Sequence, residues 1–205
     1  MNSTMTDVIW RPSGDYLKCR VADFMTQHGI KDWRELVAKS TADIEWFWKS
    51  TLEYIGVVWD RPYDRLIDQS QGFEWTKWFV GGEINIYKNC LDWHMEKGRS
   101  VGKRQSVGAD HLAIIWEGDD RSTTKLTYGE LNEMSSRVAA LLLKLGVGAG
   151  DAVGIYMPMV PEVVAVLFGC LKIGAVAVPI FSGFGEAPLA ARLSDADLVE
   201  AYRRR

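Results

Sequence analysis

The 205-residue chain is poor in the features that usually announce site chemistry. Its three cysteines, Cys19, Cys90 and Cys170, stand far apart and without CxxC spacing. That excludes a disulfide framework and a cysteine zinc site, and it fits a reducing, cytoplasmic compartment. Charge of one sign is also scarce, since 24 Lys and Arg against 27 Asp and Glu leave a net charge of -3. Such a balance gives no electrostatic case for nucleic acid or a membrane surface, and the only basic cluster is Tyr202-Arg203-Arg204-Arg205. The opening residues, MNSTMTDVIWRPSGD, lack the basic start and apolar run of a secretory signal. No Walker pattern, no dinucleotide fingerprint and no run combining glycine, serine and threonine ahead of a lysine occurs; Ser122-Thr123-Thr124-Lys125 carries no glycine. Val163 to Phe181 approaches the ~20 residues of a membrane span, but Lys172, Gly174 and Pro179 interrupt it.

What is present is a globular composition, 47% hydrophobic and 25% charged, with nine tryptophans of which seven precede position 80. Aromatics bury large areas where one element covers another, so a Trp-rich leader suggests a segment wrapped on a larger body. Ser13 is expected to cap a first helix with Leu17, Val21, Phe24, Met25 and His28 on its apolar side and Gly29 at its end. A short helix over Asp32 to Lys39 follows. Thr41 is expected to cap a third, with Ile44, Phe47, Trp48, Leu52 and Ile55 on one face. None of the three carries catalytic spacing, and His28 reads as packed or capping. From Trp59 to Cys90 the pattern is irregular and suggests an extended surface loop with one or two edge strands. Cys90 and His94 are spaced to share a helix face, but no orienting partner is evident and packing is the expectation.

After a polar link over Ser100 to Ala109, Leu112 to Trp116 and Thr124 to Thr127 flank Gly118-Asp119-Asp120 and predict a hairpin. Thr127-Tyr128-Gly129-Glu130 is a capping box. The helix it starts should turn Leu131, Met134, Val138, Leu141, Leu142 and Leu145 inward until Gly146. Ala152 to Tyr156 is a short apolar run that suits a strand buried on both faces. Pro161 and Glu162 open an apolar helix over Val163 to Ile173, and Ala175 to Ile180 is a second strand. Together they predict a right-handed parallel βαβ unit. Its outgoing loop, Phe181-Ser182-Gly183-Phe184-Gly185, lies where open α/β sheets bind ligands. Its glycines suit either a phosphate loop or a plain strand-to-helix turn.

Several motifs in this order resemble one family: Trp116 to Asp120, Leu126 to Leu131, Val153 to Glu162, and Lys172 to Val176. They look like the AMP-forming acyl-CoA synthetases, and within them the acetyl-CoA synthetase branch. The leader, with Trp46-Phe47-Trp48, Trp78 to Gly82 and Asn89 to Asp92, is similar to the N-terminal extension of that branch. The resemblance implies an α/β fold: a helical, Trp-rich extension over residues 1–100, then the start of an adenylation domain over residues 101–205.

It also implies a two-step reaction in which ATP and a carboxylate give an acyl-adenylate and pyrophosphate, and the CoA thiol then displaces AMP. ATP, CoA and Mg2+ would serve the full-length enzyme, and none is expected on the isolated chain. In the family the phosphate loop, the adenine site, the ribose-binding aspartate, the C-terminal catalytic lysine and the acyl pocket lie downstream of the matched motifs. The chain thus resembles the N-terminal part of an acetate or short-chain carboxylate–CoA ligase that is inactive alone. The alternative is a stand-alone, non-catalytic binding or interaction module. The candidate CoA-binding residues are Ser182, Gly183 and Phe184, with Arg203, Arg204 and Arg205 as either a CoA loop or a solvated tail. The family usually has arginine where this chain has Trp93. Unpaired strand edges and an uncovered apolar helix would make the isolated chain self-associate.

Overall fold

A computed structural model describes Ser13, Gly14 and residues 18–195. The chain forms two compact units, Met1–Ile55 and Gly56–Arg205.

The first unit is a helical trio. Helix α1 spans Arg20–Gln27, α2 Trp33–Ala42 and α3 Ile44–Ile55. Phe24, Ile30, Leu36 and Tyr54 form its core, with Met25, Trp46 and Phe47 packed against them. Tyr54 satisfies its buried hydroxyl by donating to Asp23 Oδ2 at 2.8 Å and to Arg20 O at 3.0 Å. His28 is packed as expected, its ring 4.5 Å from Phe24 and 5.5 Å from Trp46.

Two helix starts differ from expectation. Helix α1 begins after Cys19, which makes no side-chain cap bond, so Ser13 does not cap it; Leu17 lies outside the described residues. Thr41 sits inside α2, where its hydroxyl bonds back to Val37 O at 2.8 Å, and Asp43 instead caps α3 by accepting from Trp46 N at 2.9 Å. A carboxylate one residue before the helix captures its free amides better than a hydroxyl already spent on the preceding turn. The packed face of α3 consequently runs through Phe47, Ser50 and Tyr54, while Ile44, Trp48 and Ile55 are about two-fifths exposed.

The second unit begins with a hairpin of β1 (Arg65–Asp68) and β2 (Lys77–Val80), extended by an Arg61–Glu83 bridge. These are the edge strands expected in the irregular leader. The following helix α4, Ile86–Cys90, is not surface loop, because Tyr87 is buried; Leu91 and Trp93, in the turn after it, are buried as well. The polar link contains a tiny hairpin, β3 (Ser100–Val101) with β4 (Arg104–Gln105).

Strands β5 (Leu112–Glu117) and β6 (Thr123–Thr127) pair antiparallel across a five-residue connection, 118–122. Thr127 and Glu130 form the reciprocal cap of α5 (Tyr128–Lys144), Glu130 Oε2 accepting from Thr127 N at 2.8 Å and Thr127 Oγ1 from Glu130 N at 3.2 Å. Leu131, Ser135 and Ala139 form the buried line of α5, whereas Leu141 and Leu145 face out at 56% and 49% exposure.

The βαβ unit is present as β7 (Ala152–Tyr156), α6 (Pro161–Lys172) and β8 (Val176–Ile180), with β7 and β8 parallel and Ala152 opposite Val176. Helix α6 lies between two apolar clusters. One gathers Tyr87, Leu91, Leu131 and Ala165, the other Ile155, Cys170 and Ala175. Its apolar circumference is thereby used on two sides. Strand β7 is covered on one face only: Ile155 is buried, while Tyr156 on the opposite face is 44% exposed. A two-stranded sheet with one helical layer protects a single face, and no second layer stands opposite among the described residues. Helix α7, Glu186–Asp195, follows the outgoing loop.

Candidate functional site

Because β7 and β8 are parallel, the segments after both leave the sheet on the same edge, at the carboxyl ends of the strands. In open α/β sheets that edge is where ligands bind. Two features occupy it.

The first is the loop after β8. Phe184 N donates to Phe181 O at 3.1 Å, closing a turn over 181–184. The Tyr156 hydroxyl, at the end of β7, reaches across the edge to Phe184 O at 2.8 Å and Ser182 O at 3.0 Å. On the far side the Arg192 guanidinium of α7 lies 4.1 Å over the Phe184 ring, which also meets Phe181 edge-on at 5.5 Å. Ser182 and Gly183 are exposed and Phe184 half-buried, so the three predicted residues do sit together in one accessible turn. Among the described residues, Gly183 N and Gly185 N donate to no acceptor. Those free amides are suited to the oxygens of a phosphate-bearing ligand. Arg203, Arg204 and Arg205 lie outside the described residues.

The second is a cleft of about 510 Å³ between the end of β5 and the segment joining β7 to α6. Trp116 Nε1 donates to Met159 O at 2.7 Å across it. Its walls are apolar, from Ile114 and Ile115 to Val160 and Val164, with Glu117 and Asp119 at the rim.

The Asn89–His94 motif turns out to be structural. Asn89 clamps Val58 through both its amide atoms, accepting from Val58 N at 2.9 Å and donating to Val58 O at 2.8 Å. Cys90 is exposed and no hydrogen bond joins it to His94 among the described residues. His94 Nδ1 instead faces Val107 N at 3.4 Å, and its ring packs 4.5 Å from Tyr128. Burial, then the nearby Arg104 and His111 charges, hold its pKa below the usual histidine range. Trp93 is buried beneath two guanidiniums, Arg104 at 4.1 Å and Arg99 at 4.4 Å from the ring centroid. An arginine at this position would add a third cation where the tryptophan face now receives two.

No group of three His, Cys, Asp or Glu that could hold a metal ion occurs among the described residues. No described helix is long and apolar enough to cross a membrane. Two residues of the loop's frame, Tyr156 and Arg192, were not singled out from sequence. The available signal was a lone polar-tipped aromatic ending an apolar strand, at the edge where such sheets bind.

Comparison with known proteins accords with this architecture. The model of the acetyl-coenzyme A synthetase N-terminus matches residues 33–90, and that of the AMP-binding enzymes matches residues 103–199. Acetyl-coenzyme A synthetase of Laribacter hongkongensis is 37% identical over 83% of the chain and 24% of its own length. That of Rhizobium rhizogenes is 41% identical over 80% of the chain and again 24% of its length. The chain thus spans about a quarter of the curated relatives it matches. An acetoacetyl-CoA synthetase structure from Streptomyces lividans superposes with a TM-score of 0.73 over 86% of the chain and 27% of its own, at 24% identity, a likeness of fold. Carrying the synthetase leader and the opening of the AMP-binding domain in that order, the chain belongs to the AMP-forming acyl-CoA synthetases and corresponds to their N-terminal portion.

Proposed function

We propose that the chain serves as the N-terminal part of an AMP-forming ligase that joins acetate or a similarly short carboxylate to CoA, with AMP and pyrophosphate released. The observation that carries this reading is the unbroken order of the two family segments on one chain, at 37–41% identity to acetyl-coenzyme A synthetases. Residues 1–100 act as the extension and residues 101–205 as the start of the adenylation domain. Tyr87, Leu91 and Met95 of the leader pack with Ala165 of the βαβ unit, which favours a scaffolding role for that part of the leader.

Within this reading the loop Ser182-Gly183-Phe184 meets CoA. The fit rests on the unengaged amides of Ser182, Gly183 and Gly185, on the loop's exposure and on its place at the carboxyl edge of the sheet. Arg203 to Arg205 would add charge-assisted bonds to the CoA phosphates. When bound, CoA supplies the thiol that takes the acyl group; this chain's part is to hold and orient it. The glycine-rich phosphate loop of the family has no counterpart in the 205 residues. The chain by itself is therefore inactive. It self-associates, because Ile115, Leu141, Leu143 and Met159 are more than half exposed and the β7–β8 sheet has open edges; a monodisperse monomer in light scattering contradicts this.

The test is release of AMP by the ligase that carries this chain, supplied with ATP, CoA and acetate, propionate or butyrate. Release that needs both a short carboxylate and CoA is expected. No release with any of the three acids would contradict the reading.

A further inference from the structure

We infer that Tyr156 is the positioning residue of the CoA loop, a role that rests on the proposal that Ser182 to Phe184 meet CoA. The Tyr156 hydroxyl bonds the carbonyl oxygens of Ser182 and Phe184 at 3.0 and 2.8 Å, its single proton serving two acceptors on alternate residues of the turn. No peptide bond among the described residues is cis. In a trans peptide the carbonyl of one residue and the amide of the next point in opposite directions. Holding the Ser182 carbonyl toward Tyr156 therefore aims Gly183 N away from it, and holding the Phe184 carbonyl does the same for Gly185 N. These two amides have no acceptor among the described residues, and neither does Ser182 N before them, while Phe184 N is spent on Phe181 O. One phenol thus sets the direction of two of the loop's free donors, both on glycines.

The rest of the frame leaves this task to the hydroxyl. Arg192 stacks on the Phe184 ring and fixes the side chain, but a ring contact does not choose which way a peptide faces. Gly183 and Gly185 have no side chain to restrain them, and the turn is exposed on its outer side. With the phenol removed, both carbonyls find water, since Tyr156 is itself 44% exposed, and the peptides are free to rotate. The fold survives such a change. The ordering of the amides does not, and it must then be supplied when ligand binds.

The experiment compares Tyr156→Phe with Gly183→Val in the ligase that carries this chain, by steady-state kinetics and by hydrogen exchange of the 181–187 peptide. Tyr156→Phe is expected to raise the KM for CoA about fivefold, the size of one neutral hydrogen bond, with the KM for ATP changed less than about twofold. Its 181–187 amides should exchange faster than wild type before CoA is added. Gly183→Val, whose first side-chain carbon would stand 2.5 Å from the Phe181 ring, should raise the same constant for CoA at least as much. If Gly183→Val raises it and Tyr156→Phe does not, the role of Tyr156 is overturned and the CoA loop stands. If neither variant moves it, the CoA assignment of the loop has failed. Equal increases for CoA and ATP in Tyr156→Phe would mark a general structural defect and also overturn the inference.

Discussion

Asn85 Nδ2 donates to Leu171 O at 3.0 Å, while its Oδ1 accepts from Tyr87 N at 2.8 Å. One amide side chain thus caps the start of α4 in the leader and takes up a carbonyl in the last turn of α6, 86 residues away. Lys172 reinforces the joint by donating to Tyr87 Oη and to Ser136 Oγ, each at 2.8 Å, and the Tyr87 hydroxyl in turn bonds Asn132.

Asn85→Ala should therefore destabilise the second unit beyond the loss of an ordinary cap. A cap alone is worth about 1 kcal/mol, and a carbonyl left unpaired in a part-buried site adds about 1 more. The check is a urea-unfolding comparison with wild type. A loss under about 0.5 kcal/mol would mean that the leader is not tied to the βαβ unit as described.

The seam between α5 and α6 depends on a missing side chain. A Cβ on Gly169 would stand 2.6 Å from Val138 Cγ1, 2.8 Å from Val138 Cβ and 3.1 Å from Ser135 O. Gly169→Ala gains about 1 kcal/mol in helix propensity, but overpacking against a stiff β-branched neighbour costs about 1–3 kcal/mol. The overpacking should win, lowering the melting temperature. A rise would show that α5 yields freely.

Acid should weaken the packing around His94. In the unfolded chain its pKa is near 6.5, and in the folded chain burial, first, and the Arg104 and His111 charges hold it lower. As pH falls below about 6.5 the unfolded state takes up the proton first, so stability declines until the folded value is passed. Above 6.5 this contribution is fully present. Denaturant midpoints at pH 7.5 and 5.5 should differ less in His94→Gln than in wild type. Identical differences would remove His94 from the account.

The parts legible in sequence are those decided locally. The Thr127–Glu130 cap was readable because both partners fall within one helical turn, and the βαβ unit because its two short apolar strands are punctuated by Pro161 and Gly174. Burial was less legible. Periodicity marks a wide apolar stripe on α5 and α3, but only the neighbours decide that Ala139 is covered and Leu141 is not, or that Tyr54 is inside and Ile55 outside. Asp43 displaced Thr41 as a cap because the threonine hydroxyl had a nearer carbonyl within its own helix. At the candidate site the loop was found from its position after a strand. Tyr156 was not, since its 26-residue reach to Ser182 depends on the parallel register of β7 and β8.

The central claim is that this chain is the leading part of an adenylate-forming ligase and does not form acyl-adenylate by itself. Adenylation needs in-line positioning of the carboxylate and stabilisation of charge at the α-phosphate, and each missing element costs several kcal/mol where about 1.4 kcal/mol is already tenfold in rate. The direct measurement is acetate-dependent exchange of labelled pyrophosphate into ATP, run in parallel on the purified 205-residue chain and on the ligase that carries it. Exchange by the ligase and none above a no-protein blank by the chain is the predicted result. Exchange catalysed by the chain alone and lost on mutation of Gly183 would contradict it.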